Sequence, residues 1–263
     1  MCSSDLLPVF AHLPLIRNRD KSKISKRKND ISILSYREKG YLPEALINFI
    51  SLLGWSHPEG KDIFTREEFT KLVSLERIQT SAPIFDLEKL NWYNGYYLRQ
   101  LVTEQGTNQL AKRLLAGGFV PDGFPVVLLE KVLPLVYERM VTLADFAPLT
   151  DFFWREISIP ESTLLKKATT DEVFAQLVVT KTLLQDLLWS ESELERALRT
   201  LLEQKHYQKR QYLMMLRLVV TGKTATPPLF STMQVLGKQR VLQRIDQAII
   251  LLKGKREIGR AHV

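Results

Sequence analysis

Cysteine is almost absent from this 263-residue chain: Cys2 is the single one. An internal disulfide and a Cys-rich zinc site are excluded, and the cytosol is the simple expectation. Histidine is also scarce. Away from the C-terminus there are His12, His57 and His206, widely separated, with no Cys or carboxylate at ligand spacing, so no metal site is expected. No apolar run reaches the roughly 18 residues a membrane span needs. The first residues lack the basic and apolar segments of a signal peptide. Gly-x-Ser-x-Gly, the Walker loop and Gly-x-Gly-x-x-Gly are all missing, which removes the usual sequence signals of α/β-hydrolases, P-loop enzymes and dinucleotide-binding folds.

Acidic residues are outnumbered, 29 against 37 Lys and Arg, for a formal charge of +8. The excess favours a polyanionic partner without naming it. Apolar content of 45% is ordinary for a globular protein and supplies a sizeable core.

Helical signals dominate. Leu42, Ala45, Leu46, Phe49, Ile50 and Leu53 recur at three- and four-residue steps, with Pro43 suited to the first turn and Gly54 to the stop. Thr65-Arg66-Glu67-Glu68 has the form of a capping box, and Asp86 can cap the helix carrying Leu87, Leu90 and Tyr97. Further helices are expected at 125–138, bent by Pro134, from Thr142, and near 171–188, 191–206, 209–221, 227–236 and 238–253. Thr226 would be an N-cap with Pro227 at the first helical position. Gly222, Gly237 and Gly254 would be stops. No strand pattern of useful length follows residue 41. A domain boundary is expected near residue 103.

The basic excess concentrates early. Residues 17–28 hold Arg17, Arg19, Lys21, Lys23, Lys26, Arg27 and Lys28 against only Asp20. By charge alone this is a solvated loop or a nucleic-acid patch. Within it stands Lys23-Ile24-Ser25-Lys26-Arg27. Two lysines three apart on a loop can place two ammonium groups on one set of phosphates, and Ser25 adds a hydroxyl. The pentapeptide resembles the KMSKS signature of class I aminoacyl-tRNA synthetases, in the KISKR form of glutamyl-tRNA synthetases. Its flanks carry the likeness further: Phe10-Ala11-His12-Leu13-Pro14, Tyr41-Leu42-Pro43-Glu44, Leu53-Gly54-Trp55, Trp92-Tyr93-Asn94-Gly95, and then Pro227-Pro228-Leu229-Phe230 and Leu236-Gly237-Lys238. The chain is similar over nearly its whole length to the bacterial and organellar type.

That resemblance implies a mainly α fold: the KMSKS loop and a helical stem-contact region over 7–102, then an all-helical anticodon-binding domain over 103–257. It implies ATP-dependent attachment of glutamate to tRNA(Glu), with Mg²⁺ in the full-length enzyme. The parent would be a monomer of the cytoplasm or an organellar matrix. Lys26 is the residue implied for ATP, with Lys23 and Ser25 beside it in catalysis. Arg139, Arg217, Thr226, Pro227 and Leu229 are implied for the anticodon, the arginine fork being suited to a base edge. Two plainer roles stand beside these: Arg139 as a surface arginine paired with Glu138 or Asp145, and Leu229 as core. Trp92 reads as core, and Tyr207 and Tyr212 as either a stacking patch or part of an amphipathic helix. The family's HIGH signature and glutamate pocket are not in these 263 residues. Residues 1–6 and 258–263 match a translated sequencing adapter and read as adapter-derived tails. The expectation is a C-terminal fragment, inactive alone; a non-catalytic tRNA-binding module is the alternative.

Overall fold

The computed structural model describes residues 10, 12–25, 32–166 and 168–261, with 255–261 described by backbone alone. The protein is mainly helical. Among the described residues the only β pairings are three isolated bridges, Arg17 with Lys23, Arg17 with Ile84 and Trp55 with Ile78. The chain forms two compact units. One runs to Phe119 and takes back Arg139–Asp145; the other comprises Val120–Glu138 and everything from Phe146 onward.

The first unit holds α1 (Ile33–Glu38), α2 (Pro43–Gly54), α3 (Arg66–Leu72), α4 (Leu87–Gln105) and α5 (Thr107–Ala116). Their starts follow local chemistry. Pro43 opens α2 at its first turn. Asp86 accepts hydrogen bonds from the Glu88 and Lys89 amides at 3.0 and 3.4 Å, capping α4. Thr65 caps α3 by accepting from the Glu68 amide at 3.0 Å. The capping box stays half made, because the Glu68 carboxylate turns to His57 and Lys61 instead. The core gathers Leu42, Ala45, Phe49, Leu90, Tyr93, Leu98, Leu110 and Leu114 between α2, α4 and α5. Beside it, the Trp55 ring makes edge contacts with His57, Phe64 and Phe69. Two buried asparagines join the elements. Asn94, on α4, accepts from the Leu42 amide at 2.7 Å and donates to the Val141 carbonyl. Asn48, on α2, donates to the Asp62 carbonyl at 2.9 Å and accepts from the Phe64 amide and the Tyr97 hydroxyl.

The second unit holds α6 (Leu129–Val136), α7 (Phe146–Thr150), α8 (Glu161–Leu164), α9 (Thr170–Gln185), α10 (Glu191–Gln204), α11 (Lys209–Thr221), α12 (Leu229–Leu236) and α13 (Lys238–Ala261). Thr169 and Glu172 form a full capping box at the start of α9. α13 packs against α9 and α11, burying Val241, Ile245, Ala248 and Leu252. Gly222 ends α11 in the left-handed region, with φ at +71°. A Cβ there would meet the Ser158 carbonyl oxygen at 2.8 Å.

Three local expectations are corrected. Thr226 does not cap a helix: α12 starts at Leu229, with Pro228 before it, because the Thr226 hydroxyl donates to the Pro227 carbonyl and receives Arg217. Gly254 does not stop α13, since an interior glycine costs only about 1 kcal/mol relative to alanine. The segment from Thr142 begins as a tight 3-10 turn, Leu143–Asp145. Asp145 accepts from both the Val141 and Thr142 amides at 2.8 Å before α7 follows.

Candidate functional site

The basic loop is anchored at its base. Arg17 donates to the Pro83 carbonyl at 2.9 Å, and Phe85 donates to the Arg17 carbonyl at 2.8 Å. The chain turns between Asn18 and Ser22, where the Asp20 carboxylate accepts from the Ser22 amide at 2.9 Å. Lys21 takes a left-handed φ of +64°, a conformation costing a non-glycine residue about 1–2 kcal/mol. Arg19 then reaches the carboxylates of Asp86 and Glu88, at 3.4 and 2.9 Å, at the start of α4. The turn thus holds the chain leading into the pentapeptide against α4. Lys23 is exposed and Ser25 half-buried. Lys26 lies outside the described residues.

In the second unit, one arginine organises the turn between α11 and α12. A single guanidinium nitrogen of Arg217 donates to the Thr226 hydroxyl, to its carbonyl at 3.2 Å and to the Pro227 carbonyl at 3.0 Å. Thr221 ties the other side, accepting from the Lys223 amide at 3.2 Å. Arg217, Thr226 and Pro227 are therefore brought together. Leu229, 5% exposed, lies in the core as its plainer role had it. Thr226 is as buried, at 3%. This turn presents backbone and the half-buried arginine rather than an open leucine.

Arg139 belongs to the first unit, at the end of the 3-10 turn Tyr137–Arg139, and is exposed. The pairing with Asp145 is not made, because that carboxylate caps the following turn. Trp92 is not core: it is 54% exposed and stacks on Tyr96 with ring centroids 6.0 Å apart. Tyr212 is fully buried, with its hydroxyl 2.6 Å from that of Thr180, and burial raises its pKa far above the usual value. Only Tyr207, stacked on it at 5.5 Å, is left for an outside ligand.

The sequence reading missed Arg244. It is 3% exposed and donates to the carbonyls of Val220, Phe152 and Arg155 at 2.5, 2.7 and 3.2 Å. Burial, with Arg240 nearby, lowers its pKa to about 10, so it stays charged at neutral pH. By tying the end of α11 to the segment before α8, it fixes the frame from which the Arg217 turn projects. A signal was present: Arg244 sits on the same face as Val241, Ile245 and Ala248, where a surface arginine has no place.

Residues 107–249 match the family model described as the anticodon binding domain. The chain belongs to that family. Residues 4–92 match a second model, the catalytic domain of class I tRNA synthetases (E and Q). Among curated relatives, the glutamate–tRNA ligase of Roseiflexus sp. (strain RS-1) is 37% identical over 249 residues, covering 92% of this chain and 49% of its own length. That of Deinococcus radiodurans is 36% identical over 248 residues, covering 92% and 50%. Among solved structures, a glutamate tRNA ligase from Elizabethkingia meningosepticum, crystallised in complex with its amino acid, aligns with a TM-score of 0.78 at 28% identity. The alignment covers 94% of this chain and 52% of that one. The chain spans about half the length of the curated relatives it matches.

Proposed function

We propose that this chain serves glutamate–tRNA ligation: ATP-dependent activation of glutamate and its transfer to tRNA(Glu). The observation that carries the reading is one of order. A KISKR motif, whose lead-in turn Arg19 holds to a helix start, is followed on the same chain by a helical domain of the anticodon-binding family. Lys26 and Lys23 are the ammonium groups for the ATP phosphates, with Ser25 adding a hydroxyl. Their positive charge offsets the negative charge that grows as pyrophosphate leaves. Exposed Lys23 fits that task. Among the described residues no group of three or more His, Cys, Asp or Glu side chains could hold a metal ion; Mg²⁺ belongs to the reading as a cofactor of the full-length enzyme.

On the tRNA side, Arg139 reads the last anticodon base, and Arg217 with the turn through Thr226 and Pro227 faces the other bases. Leu229 contributes from beneath, by holding the start of α12. The protein acts as a monomer in the cytoplasm.

Arg139→Ala tests the reading. Losing an arginine that bonds a base edge removes about 1–3 kcal/mol of discrimination. The affinity gap between tRNA(Glu) and a tRNA altered at its last anticodon base, measured at fixed salt, should narrow by that amount. Equal weakening toward both tRNAs would make Arg139 a backbone contact only.

A further inference from the structure

A recess of about 380 Å³ opens within the first unit, where the starts of α2 and α3 meet the second half of α4 and α5. Leu42, Tyr96, Tyr97 and Leu101 give it aromatic and aliphatic walls. Three carboxylates, Glu44, Glu68 and Glu104, line it against one cation, Arg113. This local excess of negative charge stands in a chain whose formal charge is +8.

The three carboxylates are not equivalent. Both Glu44 oxygens are taken by Arg113, at 2.7 and 3.1 Å, which neutralises that pair. Glu68 uses one oxygen, Oε1, for Lys61 at 3.2 Å and His57 at 3.1 Å; these bonds hold its pKa below the ordinary value, so it is ionised at neutral pH. Its Oε2 accepts nothing among the described residues. Glu104 is exposed, and its one partner is the neutral Gln100 amide at 2.6 Å. α4 ends one residue later, at Gln105, with no basic side chain in its last turn. A helix C-terminus carries partial negative charge. Glu104 adds charge of the same sign there, and a cation placed beside it relieves both.

The two available carboxylates stand apart. The Tyr97 hydroxyl lies 2.7 Å from Asn48 Oδ1 and 3.1 Å from the Phe64 carbonyl, which brings the chain entering α3, and with it Glu68, beside Tyr97. Glu104 is seven residues further along α4, about 10 Å at 1.5 Å per residue. Tyr97, Leu101 and Glu104 follow one another at steps of four and three, so they share a helix face.

We propose that this recess binds a linear alkyl polyamine, with one ammonium group at Glu68 Oε2, another at Glu104 beside the end of α4, and the methylene chain along Tyr97 and Leu101. The tyrosine rings suit an ammonium group or its neighbouring methylenes. A metal dication matches the charge but leaves the aromatic and aliphatic walls without a partner. A lone lysine side chain reaches one carboxylate only. A chain with cations at both ends uses the walls and both carboxylates. The site goes beyond the ligation reading and does not rest on it.

Spermidine is the probe, and the sample is the whole chain freed of nucleic acid. Calorimetry at fixed low salt should show one spermidine bound per chain. Glu104→Gln should weaken that binding about tenfold. Glu130→Gln, which removes an exposed carboxylate of the second unit, should leave it unchanged. Arg113→Ala should act in the opposite direction: it frees the Glu44 carboxylate and should tighten binding about threefold. Neither Mg²⁺ nor N-acetyl-lysine amide, at the concentration of spermidine, should displace it. The proposal falls if spermidine gives no saturable heat, or if Glu104→Gln and Glu130→Gln act alike. It falls equally if Mg²⁺ or the lysine derivative competes as well as spermidine does, or if Arg113→Ala weakens binding. All of these outcomes leave the ligation reading to the separate Arg139→Ala measurement.

Discussion

In the first unit, helices are joined by side-chain amides and hydroxyls: Asn94 and Asn48 each serve two or more elements from buried positions. Both units wear large apolar groups outside: Phe10, Leu13, Ile33 and Leu75 are between 67% and 80% exposed in the first, and Val127, Leu188 and Ile250 between 70% and 81% in the second. In the second unit, the core is mostly leucine, valine and phenylalanine; its buried polar groups are hydroxyls, among them Thr150, Thr180 and Thr232, and one charge, Arg244, bonded to three carbonyls. The contrast teaches that burial and polar satisfaction are separable means of cohesion. The first unit depends on a few directed bonds at its junctions, the second on continuous apolar contact with one charged rivet.

The contrast can be broken where each unit is most dependent. Arg244→Ala orphans three buried carbonyls and leaves a void, and should cost the second unit about 3–5 kcal/mol. Urea unfolding followed by Trp189, whose indole donates to the Met233 carbonyl at 3.2 Å, reports on that unit. A loss below about 1 kcal/mol would mean that water replaces the guanidinium.

Asn94→Ala should cost the first unit about 2–4 kcal/mol, because the Leu42 amide and the Val141 carbonyl both lose their partner. The second unit's transition should not move. Next, native-state hydrogen exchange should protect the middle of α4 less than the middle of α13, since the first unit has the less continuous core. Equal protection would show that directed bonds suffice.

The smallest effect is expected at Glu44. Burial works against its ionisation, but Arg113, bonded at 2.7 and 3.1 Å, lowers its pKa below the ordinary 4.5. A carboxylate with a lowered folded pKa contributes stability above its unfolded pKa and loses it as pH falls through the folded value. Arg113→Ala should therefore cost about 0.5–1 kcal/mol at pH 7, both groups being partly exposed, and the difference should vanish once pH is well below 4.5.

Much of the architecture was legible because its signals are local. Thr65 and Asp86 cap where capping chemistry puts them, and Gly222 and Gly237 end helices at positive φ. The loop around Lys23 was legible by motif. What failed was set by distant partners. Thr226 has the residue type of an N-cap, but a guanidinium nine positions upstream claims its hydroxyl. Asn94 looks like a surface residue until the amide and the carbonyl it meets, 52 and 47 positions away, are brought in by folding.

The return of Arg139–Asp145 to the first unit has a consequence for the order of events on the ribosome. The Leu143 amide donates to the Gly40 carbonyl at 2.9 Å, and Gly40, with φ at +77°, leaves no room for a Cβ, which would sit 2.7 Å from the Ala144 nitrogen. The first unit is thus unfinished until residue 145 has left the exit tunnel, by which time the opening stretch of the second has already been made. Maturation of the two is interleaved along the chain rather than sequential. A stalled or truncated product ending near residue 119 would carry an unclosed seam at Gly40 and Asn94, a natural handle for chaperones and proteases.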